Sequence, residues 1–179
     1  MSRLTPPLNS NDHVRCNPGA PAQLVEYGDF ECPFCGSAYS VVKALEEALG
    51  DRLAVAFRHF PLTQMHPHAM LAAEAAEAAG AQGRFWEMHD MLYEHQDALE
   101  PDDLRGYAEA LGLDVDVFDR DLLAHKHRPK VRADFRSGAV SGVNGTPTFF
   151  INGHRYDGAW DVDSLFAAIA SEAGATLSE

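Results

Sequence analysis

Leu24-Val25-Glu26-Tyr27-Gly28-Asp29-Phe30-Glu31-Cys32-Pro33-Phe34-Cys35 is the stretch that decides the architecture of this 179-residue chain. Its first half, with Gln23 ahead of it, is a short apolar run holding one acid, which reads as a buried strand over residues 23–28. Its second half opens a helix. Pro33 suits the first helical position, where a missing N–H costs little, so Cys32 becomes the N-cap. Beyond it Val41, Val42, Leu45 and Leu49 recur at helical spacing, and Gly50 supplies the stop. Residues 53–60 (LAVAFRHF) read as a second strand, ended by Pro61. Strand, helix and strand over 23–60 have the length of a βαβ unit with parallel strands.

Outward from this unit the pattern changes. Residues 65–142 show no strand pattern but recurrent helical periods, predicting helices at 68–81, 85–95, 102–112 and 115–124 and one after Pro129. Strands return at 148–151 and 154–157 around Asn152-Gly153, a strong hairpin signal. Asp161 reads as the N-cap of a last helix with Leu165, Phe166 and Ile169 on its buried face. Residues 1–20, rich in Pro, Asn and Ser, read as an irregular extension. The chain is therefore expected to be an α/β protein. Its core comprises residues 21–62 and 143–179, interrupted by an all-helical insertion over 63–142.

Charge narrows the partners. Fourteen Lys and Arg against 27 Asp and Glu give a net charge of −13. That balance cannot build the large basic patch that phosphate backbones or anionic membranes attract, so no nucleic-acid partner and no membrane insertion are expected. The longest Ala-rich stretch is broken by Glu74 and Glu77 and is too short to span a bilayer. The first 20 residues lack a secretory apolar region, so a cytoplasmic location is expected, or an extracytoplasmic one if a leader was removed.

The chemistry concentrates at C-x-x-C. The free N–H groups of the helix's first turn favour a thiolate at Cys32. Residues i and i+3 are helical neighbours, so Cys35 comes within disulfide reach after a small rotamer adjustment. Cys32 can then attack a substrate disulfide, with Cys35 resolving the mixed disulfide. Cys32 is expected to be the exposed, low-pKa thiol and Cys35 the buried one. A structural metal site needs four ligands; no second C-x-x-C exists and the His66/His68 and His125/His127 pairs read as loop or helix residues. Neither metal nor cofactor is expected. Glu26 lies six residues before Cys32; buried, it would have a raised pKa and could pass a proton to Cys35, whereas on an edge strand it would simply be solvated. Cys16 has no partner by spacing, and its role stays open.

With these parts in place, the chain resembles the DsbA-like thiol–disulfide oxidoreductases of the thioredoxin superfamily. The matching segments are LVEYGDFECPFC, FRHFPL and GVNGTPTFFINGHRYDGAW, in the family's order. The resemblance implies a thioredoxin-like fold with a helical insertion, Cys32 as nucleophile and Cys35 as resolving thiol. It places Glu26 at the buried carboxylate position and Pro147 at a cis-proline whose loop lies against the active-site disulfide and binds substrate backbone. Thr146, ahead of it, would tune the cysteine pair, as would the Pro33-Phe34 dipeptide. The implied partners are protein or peptide thiols and disulfides, and a redox partner that recycles the pair.

Two other readings compete: a disulfide isomerase or chaperone-type binding module of the same fold, and a glutathione-dependent transferase or isomerase. The latter does not need a resolving thiol, and Cys35 argues against it. One departure from the family bears on redox poise. Phe34 stands where strongly oxidising members carry His, and Asp29 and Glu31 are expected to repel the developing anion and raise the Cys32 pKa. A potential between the about −120 mV and about −270 mV extremes of the fold follows.

Overall fold

The computed structural model describes residues 2–176. Five strands, β1 (His13–Cys16), β2 (Ala22–Gly28), β3 (Leu53–His59), β4 (Thr148–Ile151) and β5 (His154–Tyr156), form one sheet in the order β1-β3-β2-β4-β5. Only β2 and β3 run parallel. Helix α1 (Pro33–Leu49) joins them, as the spacing of apolar residues predicts. Helices α2 (Ala69–Gly80), α3 (Phe85–Glu94), α4 (Pro101–Ala110), α5 (Val115–Leu123) and α6 (Arg128–Val140) follow β3. The Asn152-Gly153 hairpin joins β4 to β5, both residues at positive φ, and α7 (Val162–Thr176) ends the described chain.

Strand alternation divides the core between the two faces of the sheet. Leu24, Val55, Phe149 and Ile151 meet Val42 and Leu45 of α1 and Leu165 and Ile169 of α7 on one face. Val25, Tyr27, Ala56 and Phe150 meet Phe60 and Val143 on the other, where Tyr27 Oη lies 2.7 Å from Ser137 Oγ of α6. A third cluster joins Phe30, Cys32, Cys35 and Phe57 to Met88 and Phe118 of the helical region. The cysteine pair thus sits where the βαβ unit and the helices share a core.

Two expectations need correction. Residues 1–20 are not an irregular extension throughout, because β1 pairs antiparallel with β3 from His13↔Phe57 to Cys16↔Ala54. The segment is held by Arg58, a buried guanidinium. Its Nε and Nη2 donate to the two Asp12 carboxylate oxygens at 2.7 and 2.8 Å, and its Nη1 donates to Pro6 O at 3.0 Å. A buried cation needs such partners, and the chain before β2 supplies them. Phe166, expected on the buried face of α7, is 36% exposed, while Leu165 and Ile169 are buried. These two are i and i+4 and define the stripe on the sheet; Phe166 is turned about 100° away from Leu165. Of the expected segments, residue 1 and residues 177–179 lie outside the described residues.

Candidate active site

Cys32 is the N-cap of α1, with extended backbone (φ −73°, ψ 121°), and Pro33 follows at the start of the helix. Cys35 points into the shared core. The two lie 3.9 Å apart as free thiols. Both are buried, Cys32 at 3% and Cys35 at 0% exposure, which corrects the expected contrast of exposed against buried thiol. Phe30 packs against Cys32, and the Thr146 carbonyl lies 3.6 Å from its Sγ, so the loop before β4 covers the sulfur. Thr146 and Pro147 are half-buried, and the bond between them is cis. Phe34 instead projects outward, 64% exposed.

The contrast between the thiols lies in their proton affinity. A hydrogen bond from Cys35 outweighs the desolvation of Cys32 and, with the Cys35 and Phe34 N–H groups and Thr146, brings it down to about 5. The Thr146 hydroxyl has no other protein partner, so the Cys32 thiolate is the acceptor available to it. Cys35 moves the opposite way. Burial pushes its pKa far up, and giving its proton to Cys32 in a hydrogen bond adds to this.

Glu26 is buried at 3% exposure because β2 is interior, flanked by β3 and β4, and position 26 shares the α1-facing side with Leu24. The edge-strand reading fails for that reason. Burial raises its pKa to about 8, against the attraction of Arg15. One oxygen, Oε1, has no protein partner. Arg15 comes from β1, where it also pairs with Glu46 and Asp90 and stacks over Trp86 at 4.4 Å.

Asp29 and Glu31 do not face Cys32 as unpaired anions. Asp29 Oδ1 accepts from Glu31 N and its Oδ2 from Leu62 N, both at 2.8 Å, and His66 Nδ1 lies 2.8 Å from Oδ2. Glu31 is paired with His68 at 2.8 Å. Each carboxylate is thus hydrogen-bonded to a histidine from the loop after β3, where the sequence pattern predicts ordinary loop or helix residues. Gln96 was also missed. Its Nε2 donates to Phe30 O at 2.8 Å and to Cys32 O at 2.9 Å, tying the helical region to the cap of α1. No local pattern marks Gln96, whereas two histidines closely following a strand end are at least visible.

Among the described residues, one group could hold a metal ion: His59, Glu77 and Asp134, with ligand atoms within 4.8 Å of one another. These groups already serve one another and their neighbours. His59 Nε2 lies 2.8 Å from Glu77 Oε1, His13 Nε2 is 3.0 Å from Glu77 Oε2, and Lys130 pairs with Asp134 at 2.6 Å. Cys16 is exposed, at the end of β1, with no disulfide partner. No helix of the described residues is long and apolar enough to cross a membrane.

Comparison with known proteins agrees with this geometry. A family profile described as thioredoxin matches residues 8–171. The structure of BdbD from Bacillus subtilis superposes with a TM-score of 0.87 at 22% identity, covering 97% of this chain and 98% of that one. A thioredoxin-like oxidoreductase from Silicibacter pomeroyi gives 0.77 at 28% identity, with 91% and 92% coverage. A curated relative, the Na+/H+ antiporter NhaA 1 of Salinispora arenicola, is 48% identical over 170 residues, which are 94% of this chain but 26% of that protein. The chain thus spans about a quarter of the length of that relative. Sheet order, helical region and cysteine placement agree with the profile match over residues 8–171, by which the chain belongs to the thioredoxin family.

Proposed function

We propose that this chain is a thiol–disulfide oxidoreductase that exchanges a Cys32–Cys35 disulfide with protein or peptide thiols. The observation that carries the reading is the placement of the pair, Cys32 at the cap of α1 beside the Thr146 carbonyl and Cys35 3.9 Å away in the core, which pulls the first thiol down to about 5 and pushes the second up. A substrate thiolate attacks Cys32 Sγ, the Cys32–Cys35 bond breaks, and the electron pair leaves on Cys35, which takes a proton. Glu26, protonated below about 8 and close enough for its charge to act on Cys35, is the proton source. A second substrate thiolate then attacks the substrate sulfur of the mixed disulfide and Cys32 leaves as thiolate. Two substrate thiols become one disulfide, and the cysteine pair takes up two electrons. The Thr146 carbonyl lies 3.6 Å from the sulfur under attack, Thr146 and Pro147 would hold the substrate backbone, and the exposed Phe34 would meet its side chains.

A stabilised Cys32 thiolate favours the reduced state of the pair and so makes its disulfide an oxidant. Disulfide formation fits an oxidising compartment. The expected cytoplasmic location has no support in the comparisons, and the extracytoplasmic alternative is the one we adopt. Ion exchange is named for the antiporters, of which this chain matches about a quarter; the reading proposed here is thiol chemistry, recycled by a redox partner. The test mixes the oxidised protein with a reduced, unfolded substrate and counts thiols. Wild type should consume two substrate thiols per molecule and Cys32→Ser none, while Cys35→Ser, loaded beforehand as a Cys32–glutathione mixed disulfide, should release glutathione to a substrate thiolate and accumulate the mixed disulfide with substrate. Oxidised wild type that binds the substrate yet consumes none of its thiols, with the same binding in Cys32→Ser, would overturn the reading in favour of a binding module.

A further inference from the structure

The loop between β3 and α2 returns to the cap of α1 and brings a histidine with it. His66 N donates to Leu62 O at 2.9 Å, and Leu62 N donates to Asp29 Oδ2, so both ends of this turn are anchored. Asp29 is the hub. Its side chain is wholly buried, its Oδ2 holds His66 Nδ1 at 2.8 Å, and its own carbonyl accepts from Cys32 N at 3.1 Å. With Nδ1 committed to Asp29 as N–H donor, Nε2 is the nitrogen left to take up the second proton. The His66 side chain is 15% exposed, so that proton exchanges with solvent.

We propose that His66, oriented by Asp29, is a positioning residue whose imidazolium stabilises the Cys32 thiolate, providing across the fold the positive charge that Pro33-Phe34 lacks. The inference rests on the thiol-exchange reading and adds a determinant of its redox poise. The groups whose charges act on His66 are Asp29, Glu31 and Cys32 from the β2–α1 segment, and Glu31 is itself held by His68 at 2.8 Å. Partial burial opposes protonation of His66, but the hydrogen bond to Asp29 and the charges of Asp29, Cys32 and Glu31 outweigh it and raise its pKa. Thiolate and imidazolium therefore coexist from about 5 upward to the raised pKa of His66. In the exchange reaction the effect falls on the second step, in which Cys32 leaves the mixed disulfide as an anion. No electron passes through the imidazole, and its proton stays in place.

Two measurements test this without requiring turnover. In reduced His66→Asn, which keeps a donor for Asp29 but carries no charge, the ultraviolet thiolate absorbance of Cys32 should titrate about one unit higher. Its dithiol should also be about tenfold less favoured against glutathione, about 30 mV in potential. The reciprocal experiment follows the His66 imidazole by NMR in reduced wild type and in Cys32→Ser. Linkage requires its pKa to fall by an equal amount when the thiolate is removed. Unchanged titrations of both groups overturn the proposal, and the Cys32→Ser spectrum decides alone if His66→Asn fails to fold. A wild type that titrates as described yet oxidises no substrate would instead overturn the proposed function.

Discussion

Glu26 shows what one buried carboxyl does to the pH dependence of the whole fold. Its pKa is raised from 4.5 to about 8, so the folded protein holds a proton that the unfolded chain has released. Stability is fully present below about 4.5 and is lost as pH rises towards 8, at about 1.4 kcal/mol per unit, roughly 3 kcal/mol by pH 7. Glu26→Gln removes the ionisation and keeps the shape. It should raise the denaturant midpoint at pH 7.5, flatten the stability profile between pH 5 and 8, and slow release of Cys35 in exchange. Unfolding by urea at several pH values checks it; a slope unchanged in Glu26→Gln would show that Glu26 is not the titrating group. The proton-handling role proposed for Glu26 thus carries a cost in stability at neutral pH.

At the scale of elements, α1 and the helical region meet at Gly36. A Cβ there would collide with Gln96 Oε1, whose side chain clamps Phe30 and Cys32. Gly inside a helix costs roughly 0.5–1 kcal/mol relative to Ala, so Gly36→Ala alone would ordinarily stabilise α1. Here it displaces two hydrogen bonds of about 1 kcal/mol each. Loss should win: Gly36→Ala is expected to destabilise by about 1 kcal/mol. In a Gln96→Ala background the same change should stabilise by roughly 0.5–1 kcal/mol. A double-mutant cycle measured by chemical unfolding gives the answer, and additivity of the two changes would dismiss the clamp. The contact ties the helical region to the carbonyl of Cys32, the residue whose sulfur takes part in the proposed exchange.

For the whole molecule, the two redox states differ in stability, and the sign depends on pH. Reduced, the fold contains a thiol lowered from 9 to about 5. That contribution is complete above 9, is lost as pH falls towards 5, and is worth about 3 kcal/mol at pH 7. Oxidised, the fold loses it but constrains its unfolded chain with a four-residue loop, worth roughly 2 kcal/mol. The reduced protein should therefore melt above the oxidised one at pH 7.5 to 8, and the order should reverse by about pH 6. Calorimetry of both states at the two pH values tests this, and an oxidised protein that is the more stable at pH 8 would contradict the low Cys32 pKa.

Much of this was legible along the chain because it is decided between near neighbours. Pro33 after Cys32 makes an N-cap, i to i+3 spacing pairs the thiols, Gly50 ends α1, and Asn152-Gly153 turns the hairpin; each follows from steric and hydrogen-bonding rules spanning a few residues. Which sulfur caps the helix was determined there too. What only tertiary structure decided lies in contacts between distant residues. Whether Glu26 is solvated depends on which strands flank β2, and Thr146 reaches Cys32 across 114 residues, Gln96 across 64. His66 reaches Asp29 across 37. β1 looked irregular because an edge strand of four residues carries little pattern of its own and is made by its hydrogen bonds to β3. Asp29 and Glu31 are a similar case: sequence displays their charge, but only the returning loop supplies the histidines that pair with them.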